Sequence, residues 1–328
     1  MYTGSQRAER IGNRVLTHMT ISKGCAVLLM ALLLISPCLA AEEITAQSYL
    51  LIERDTLTVL AGKDYYRELP PASTTKVMTT IVALERLSPD AIVSPTSKVT
   101  AIPPSKLNLV PGKQYRAADL VKGTMVQSAN DAAYALAVAI GGSEENFATI
   151  MNERAYELGA RNTRFINASG LYVPGQHTSC FDLALMFRHA LDNPTFREIV
   201  ATRYFQFKGA TQDVRYPNHN RLLFCFEPSI GGKTGFTRAS RHCYVGAFEK
   251  DGRVYILSML GSKNLWGDAV NILKHVYEDL PSKQEIQLAK ACPVVLSSFS
   301  TTSPEKPAAP KKKAKKVKAH KPKPRKSI

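Results

Sequence analysis

Strand-like segments occur near both ends of the central part of this 328-residue chain, and a long helical stretch separates them. Two short apolar runs at 48–52 and 56–60, separated by a polar break, predict a β-hairpin. Later in the chain, the segments 230–237, 242–249 and 254–260 are strand-like and are joined by short polar turns. Because strands satisfy their backbone hydrogen bonds by pairing, we predict one antiparallel sheet in which the early and late strands meet.

The stretch between the two groups of strands is predicted to be helical. Apolar residues recur with the helical period over four segments, namely 117–126, 129–140, 144–158 and 182–191. A further helix is expected to begin near Ala72, and residues 266–280 predict a closing helix. The predicted fold class is therefore α/β (α+β), in which helices flank the antiparallel sheet and a helical lobe is inserted between its strands.

Most of the positive charge lies at the two ends of the chain. Of the formal net charge of +16, residues 305–328 carry +10 and residues 1–40 carry +3, so that residues 41–304 carry only +3. We predict a signal peptide at 1–40, one folded domain at 41–283, a linker at 284–304, and a disordered, lysine- and proline-rich tail after it. The folded domain is expected to be nearly neutral.

The N-terminal segment has the layout of a secretory signal. Basic residues precede an uninterrupted apolar run at 24–36, and a short stretch that ends at Ala40 follows it. The run is shorter than the ~20 residues that a membrane-spanning helix needs, so we expect cleavage after Ala40. The sequence leaves open whether translation starts at Met1 or Met19. The protein is predicted to be exported, to the periplasm or the extracytoplasmic face of the cell membrane.

Four cysteines remain after such a cleavage: Cys180, Cys225, Cys243 and Cys292. In an exported protein an even number of cysteines permits two disulfides, but buried free thiols are an equal alternative, and the pairing is left open. No group of cysteines and histidines has the spacing of zinc ligands, so we expect neither a metal nor another cofactor.

Three short motifs contain residues that could perform chemistry: Ser73-Thr74-Thr75-Lys76, Ser128-Ala129-Asn130 and Lys233-Thr234-Gly235. Ser73 and Lys76 are three residues apart at a predicted helix start, so their side chains share one face. A lysine that is desolvated there can lose its charge and accept the proton of the serine. Asp131, directly after the second motif, is expected to cap a helix rather than to act in acid–base chemistry.

The order and context of these motifs resemble the penicillin-recognising serine acyl-enzymes, and among them the low-molecular-weight D-alanyl-D-alanine carboxypeptidases. The resemblance covers about residues 44–265, and it is carried mainly by 71–79, 127–132, 169–171 and 232–237. An alanine in the middle of the Ser-x-Asn motif favours these carboxypeptidases over the class A β-lactamases. The resemblance implies a β-lactamase/penicillin-binding transpeptidase-like fold and makes the folded domain a serine D,D-peptidase catalytic domain.

Residue by residue, the resemblance implies that Ser73 is the nucleophile and Lys76 its general base. Ser128 and Lys233 would relay a proton to the departing D-alanine. Asn130 would hold the substrate amide and position the general base.

The resemblance also implies a binding site for the terminal carboxylate of the substrate. Thr234 and Lys233 would bind this group, Gly235 belongs to the same motif, and the backbone N–H groups of the nucleophile and of Phe236 would form the oxyanion hole. An arginine often helps to bind the carboxylate in the family, but no motif places one here. Lys263, which follows the third late strand, is expected to substitute for it as a point charge.

The implied function is that of a serine-type D-Ala-D-Ala carboxypeptidase that removes the terminal D-alanine from peptidoglycan pentapeptides. β-Lactams would act as covalent inhibitors by acylating Ser73. Two alternatives stay open, a D,D-endopeptidase that cuts peptidoglycan cross-links with the same residues, and a non-catalytic module that tethers the wall or membrane.

The basic tail at 305–328 admits two interpretations. It is either a solvated segment or a site of contact with an anionic membrane or an acidic wall polymer. Its composition would also suit nucleic acid, but the signal peptide argues against access, so nucleic acid is not an expected partner.

Overall fold

The structure is a computed structural model, and it describes residues 43–209 and 213–289. The predicted signal peptide, the basic tail, Cys292 and most of the predicted linker lie outside the described residues. In the described part of the chain, no helix combines the length and the apolar character needed to cross a bilayer.

The described residues form a series of strands and helices that we number in chain order. These are β1 (Ser48–Glu53), β2 (Val59–Lys63), α1 (Lys76–Arg86), β3 (Ile92–Val93), β4 (Tyr115–Arg116), α2 (Ala117–Val126), α3 (Asn130–Gly141), α4 (Glu144–Glu157), α5 (Cys180–Ala190), α6 (Pro194–Ala201), β5 (Tyr204–Lys208), β6 (Asp213–Pro217), α7 (Leu222–Cys225), β7 (Ser229–Thr237), β8 (Arg241–Lys250), β9 (Arg253–Ser262), α8 (Leu265–Leu273) and α9 (Lys283–Leu288). Short 3₁₀ helices span Ala72–Thr75 and Ser97–Ala101.

The main sheet joins the two ends of the domain, as the sequence predicted. Its five strands lie in the order β2-β1-β9-β8-β7, and every neighbouring pair is antiparallel. The first strand pairs with the last over its whole length, from Ser48 opposite Leu260 to Glu53 opposite Tyr255. Because β8 is the one described strand that pairs with β7, β7 forms an edge of this sheet.

The central strands of the sheet are buried on both faces because their side chains alternate between two hydrophobic clusters. Leu50 and Ile52 pack in the larger cluster with the helical lobe, whereas Leu51 between them packs in the smaller cluster. Helix α5 covers the first face, and α8 covers the second. The sheet is therefore the middle layer of a three-layer α/β domain, which confirms the predicted fold class.

The inserted lobe consists of α1 to α4, and the four predicted helical segments match α2 to α5 to within two residues at nearly every end. The predicted closing helix is too long, because α8 ends at Leu273. The carbonyl of Val276 accepts a hydrogen bond from Lys250 Nζ at 2.6 Å, and the Tyr277 ring packs edge-on against Phe226. These contacts tie residues 276–277 to the end of β8 and to the loop between α7 and β7, where the chain leaves the helical path.

One hairpin was not foreseen, and one of the two alternatives left open for the cysteines is observed in the described region. The apolar run that begins at Tyr204 pairs with β6 as a separate two-stranded hairpin. Cys180, Cys225 and Cys243 are all free thiols in the structure, and Cys180 and Cys243 are fully buried.

Candidate active site

A tight turn before α1 presents Ser73. The turn is the 3₁₀ helix Ala72–Thr75, and Lys76 is the first residue of α1. Ala72 has a φ of +48°, a left-handed conformation that residues other than glycine rarely adopt. Gly170 allows the turn to lie this close, since a Cβ at Gly170 would be 1.8 Å from the Ala72 carbonyl oxygen. The packing of the two segments fixes Ser73 at the wall of a cleft.

Lys76 is completely buried, and its ammonium group has three oxygen partners. Lys76 Nζ lies 3.0 Å from Ser73 Oγ, 2.7 Å from Asn130 Oδ1 and 2.6 Å from the carbonyl oxygen of Ser169. The amide and carbonyl oxygens can only accept hydrogen bonds, whereas the serine hydroxyl can also donate one. A neutral Lys76 amine would therefore give two N–H bonds to these acceptors and keep its lone pair directed at the Ser73 hydroxyl.

The electrostatics of the site favour this neutral amine. Burial, and then the nearby charge of Lys233, hold the pKa of Lys76 well below its usual value, and the Asp131 carboxylate opposes them only in part. A lysine with a lowered pKa can act as a general base near neutral pH.

A second buried lysine contacts the second serine. Lys233 Nζ lies 2.9 Å from Ser128 Oγ and 2.8 Å from the Thr234 carbonyl oxygen. Burial lowers the pKa of Lys233 to about 7. Ser128 lies between α2 and α3 with a φ of +59°, and this left-handed conformation turns its side chain out of the helical path toward β7.

Asn130 links Lys76 to the segment that contains Pro103 and Pro104. Its Oδ1 accepts from Lys76, while its Nδ2 donates to the carbonyl oxygens of Pro103 and Pro104 at 3.1 and 2.9 Å. Asn130 therefore positions Lys76 in the structure. Its predicted contact with a substrate amide stays a prediction, since both Nδ2 hydrogens have protein acceptors here.

The expectation that Asp131 caps a helix is wrong: the N-cap of α3 is Ala129, it has no side-chain capping bond, and Asp131 lies inside the first turn. Its carboxylate accepts from the backbone N–H groups of Leu107 and Ala132 at 2.9 Å and of Leu109 at 3.1 Å. Only the Ala132 bond lies at the start of α3; the other two tie the 105–109 loop to the helix. The buried carboxylate thus fixes the loop that directly follows Pro103 and Pro104, the two acceptors of Asn130.

The strand β7 brings the third motif beside Ser73. A Cβ at Gly235 would lie 2.7 Å from the Ser73 backbone nitrogen, so the strand reaches this distance only because residue 235 has no side chain. Thr234 lines the cleft, and the exposed Phe236 ring packs against His242 with 4.7 Å between ring centroids.

These residues border one cleft with a volume of about 890 Å³. Ser73, Ser128, Asn130 and residues 234–237 line it, and Lys76 and Lys233 lie buried directly behind its serines. Among the sequence-predicted site residues, Lys263 is the exception: it is exposed beyond the end of β9 and is not part of the cleft lining.

Several cleft residues were missed by sequence reasoning. They come from the β5–β6 hairpin, from α7 and its preceding loop, and from the start of α8, and they include Tyr204, Asn218, Arg221, Phe224 and Trp266. None of them belongs to a recognisable motif, so only the packing of these segments around β7 reveals them. Within residues 43–209 and 213–289, no cluster of histidine, cysteine, aspartate or glutamate side chains is arranged to hold a metal ion.

Comparisons with known proteins identify similar chains. The family profile described as D-alanyl-D-alanine carboxypeptidase matches residues 36–264. The chain is 34% identical over 235 residues to the D-alanyl-D-alanine carboxypeptidase DacB2 of Mycobacterium tuberculosis, a match that covers 69% of this chain and 80% of that protein. It is also 34% identical over 224 residues to the D-alanyl-D-alanine carboxypeptidase DacF of Bacillus subtilis, which covers 66% of this chain and only 57% of that relative.

Solved structures show the same similarity in three dimensions. The crystal structure of a D-alanyl-D-alanine carboxypeptidase from Mycobacterium tuberculosis superposes with a TM-score of 0.68 at 32% identity, covering 73% of this chain and 94% of that chain. A mutant of the Streptomyces K15 DD-transpeptidase superposes with a TM-score of 0.67 at 29% identity, covering 71% of this chain and 96% of that chain.

Proposed function

The chain belongs to the D-alanyl-D-alanine carboxypeptidase family of serine-type carboxypeptidases, and we propose that it removes the terminal D-alanine from peptidoglycan pentapeptides through an acyl-enzyme on Ser73. The observation that carries this proposal is the 3.0 Å contact between Ser73 Oγ and the Nζ of the fully buried Lys76. This contact pairs a nucleophile with a base whose pKa burial lowers well below its usual value.

The first half-reaction forms the acyl-enzyme. Lys76 accepts the hydroxyl proton while Ser73 Oγ attacks the carbonyl carbon between the last two D-alanines, and a tetrahedral oxyanion results. The backbone N–H groups of Ser73 and Phe236 would donate to this oxyanion. The close approach of Gly235 to the Ser73 nitrogen supports this assignment, because it puts strand β7 beside one of the two donors.

The leaving D-alanine needs a proton on its amine. Ser128 is placed to deliver it, since its hydroxyl lies 2.9 Å from Lys233 Nζ, which can replace the proton that the serine gives up. The C–N bond then breaks and free D-alanine departs. Water attacks the remaining ester, and the release of the shortened peptide restores the Ser73 hydroxyl.

The substrate is proposed to lie along the outer edge of β7. Because this strand has a pairing partner on one side only, its other edge can bond to an extended peptide. Thr234 faces the cleft from this strand and would bind the terminal carboxylate together with Lys233. The role of Lys263 stays a prediction. β-Lactams would occupy the same place and acylate Ser73.

We expect the protein to act outside the cytoplasm, where its polymeric substrate lies. The predicted signal peptide supports export to the periplasm or the outer face of the cell membrane. The basic tail at 305–328 is proposed to contact an anionic membrane or wall polymer, on the strength of its +10 charge. Unchanged sedimentation with anionic vesicles after deletion of the tail would contradict this contact.

The reaction is tested with the mature protein and its Ser73→Ala variant. Each is incubated with a muropeptide that ends in D-Ala-D-Ala and, separately, with a cross-linked dimer, and the products are followed by mass spectrometry. Loss of one alanine that depends on Ser73 is expected. Cleavage of the dimer alone would assign the endopeptidase reaction instead. A folded protein that changes neither substrate and takes up no penicillin would refute the proposal and leave the tethering module.

A further inference from the structure

A neutral Lys76 amine directs its lone pair at Ser73 only while two other acceptors hold its two hydrogens. One acceptor is Asn130 Oδ1, on a side chain at the start of helix α3. The other is the carbonyl oxygen of Ser169, which lies 2.6 Å from Lys76 Nζ and belongs to the loop between α4 and α5. A loop has no regular ladder of backbone hydrogen bonds, so the orientation of this carbonyl group depends on the contacts around it.

The peptide unit between Ser169 and Gly170 is held at both of its ends. It is trans, so its C=O and N–H groups lie in one plane and point in opposite directions. The C=O accepts from Lys76 Nζ, and the Gly170 N–H donates to Asn167 Oδ1 at 2.8 Å. Because the unit is planar, a rotation that turns the oxygen away from Lys76 also breaks the bond to Asn167. The bond to Asn167 therefore fixes the direction of the Ser169 carbonyl group.

Asn167 is itself held in place by its neighbours. Its side chain is buried, and Oδ1 also accepts from the backbone N–H of Ser169 at 3.2 Å. Its Nδ2 donates to the Leu171 carbonyl oxygen at 2.8 Å, and its backbone N–H donates to Gln176 Oε1 at 3.0 Å. The arrangement uses both the acceptor and the donor of the side-chain amide. Asn167 is thus a fixed point from which the peptide unit is oriented.

We propose that Asn167 is a positioning residue for the general base, because it orients the peptide unit whose carbonyl oxygen accepts one hydrogen of Lys76. The inference rests on the proposed role of Lys76 in the acylation of Ser73. Without the Asn167 amide, the Ser169 carbonyl group is free to turn, and Lys76 Nζ then donates to Ser73 Oγ instead of accepting its proton. The chemical step should slow. Ligand binding should not change, since Asn167 is not among the described residues that line the cleft.

The test measures the acylation of Ser73 by a fluorescent penicillin, with the rate constant at saturation determined separately from the concentration at half-saturation. Asn167→Ala should lower the rate constant about ten- to a hundredfold, as expected when a reacting group is misplaced by up to about 1 Å, and leave half-saturation unchanged. Asn167→Asp keeps an acceptor for the Gly170 N–H and should restore most of the rate. Asn152→Ala is the matched control. Asn152 accepts from the Phe165 N–H at 2.7 Å and donates to the Phe165 carbonyl oxygen at 2.8 Å, so this change removes two hydrogen bonds from the same loop but none from the 169–170 peptide unit.

Three results would overturn the inference: a wild-type rate constant in Asn167→Ala, an equal loss in Asn167→Ala and Asn152→Ala, or a loss that Asn167→Asp does not reduce. Partial unfolding of a variant lowers the amplitude of acylation rather than its rate constant, so misfolding does not imitate the expected result. Peptide cleavage by the wild type is followed in parallel. A wild type that is acylated but releases no D-alanine would refute the proposed function, while the acylation rate constants still decide the role of Asn167.

Discussion

Replacing Asp131 with alanine is expected to destabilise the fold by about 3–6 kcal/mol, because three backbone N–H groups would lose their common acceptor. The carboxylate receives hydrogen bonds of 2.9, 2.9 and 3.1 Å from Leu107, Ala132 and Leu109, and Asp131 is fully buried. A buried donor without a partner costs about 1–3 kcal/mol, and water that enters the space of the lost side chain keeps the sum toward the lower end. Asp131→Asn retains one acceptor oxygen and should lose about 1–3 kcal/mol.

Urea unfolding of the mature protein measures this change in the free energy of unfolding. The dependence of that free energy on urea concentration should be the same in variant and wild type if both unfold in the same transition. For a domain of this size, the loss corresponds to a fall in Tm of about 2–4 °C per kcal/mol. Asp90→Ala is the control, because Asp90 is exposed and its 3.7 Å pair with Arg116 should contribute less than about 1 kcal/mol. A loss below about 1 kcal/mol in Asp131→Ala would refute the reasoning, since it would mean that the 105–109 loop finds other partners at no cost.

Further predictions concern the second buried lysine and the glycine beside the nucleophile. Lys233→Met should reduce the rise of the unfolding free energy between pH 7 and about 10. The pKa of Lys233 is about 7 in the folded state, so over this range the unfolded chain binds one more proton than the folded chain. In the wild type, this difference adds at most about 1.4 kcal/mol per pH unit to the slope of stability against pH. Urea midpoints at several pH values measure the slopes, and equal slopes in both proteins would contradict the shift. Gly235→Ala should slow acylation by a fluorescent penicillin about a hundredfold, since its Cβ would lie 2.7 Å from the Ser73 nitrogen and displace an oxyanion donor. Gly252→Ala, in the β8–β9 turn with no atom within 4 Å of the new Cβ, should acylate at the wild-type rate, and an equal loss in both variants would contradict the displacement.

The surroundings of Lys76 and Lys233 explain how the site accommodates two buried amines. Each amine donates to protein oxygen acceptors, and burial lowers the pKa of both lysines, to about 7 for Lys233. The cost of this arrangement is a lower stability at pH values below the shifted pKa, where the buried groups must be charged. Activity and stability therefore respond to pH through the same side chains.

The sequence by itself determined the strands of the main sheet, the four helices at 117–190, and the contact between Ser73 and Lys76. All three follow from local rules: apolar periodicity defines each element, and a spacing of three residues at a helix start brings two side chains together whatever the rest of the chain does. The meeting of the early and late strands in one sheet was also predicted, whereas the pairing of β1 with β9 is known only from the structure.

Only the tertiary structure decided which groups surround these residues. Asn130 and Lys76 are 54 residues apart, and Ser128 and Lys233 are 105 apart, so neither hydrogen bond is encoded in a local spacing. The same holds for Arg221, which enters the cleft through the packing of α7 beside β7. Burial and electrostatic neighbours depend on how distant segments pack, and they set the pKa of each lysine, which is why the chemistry of the site emerges only from the folded chain.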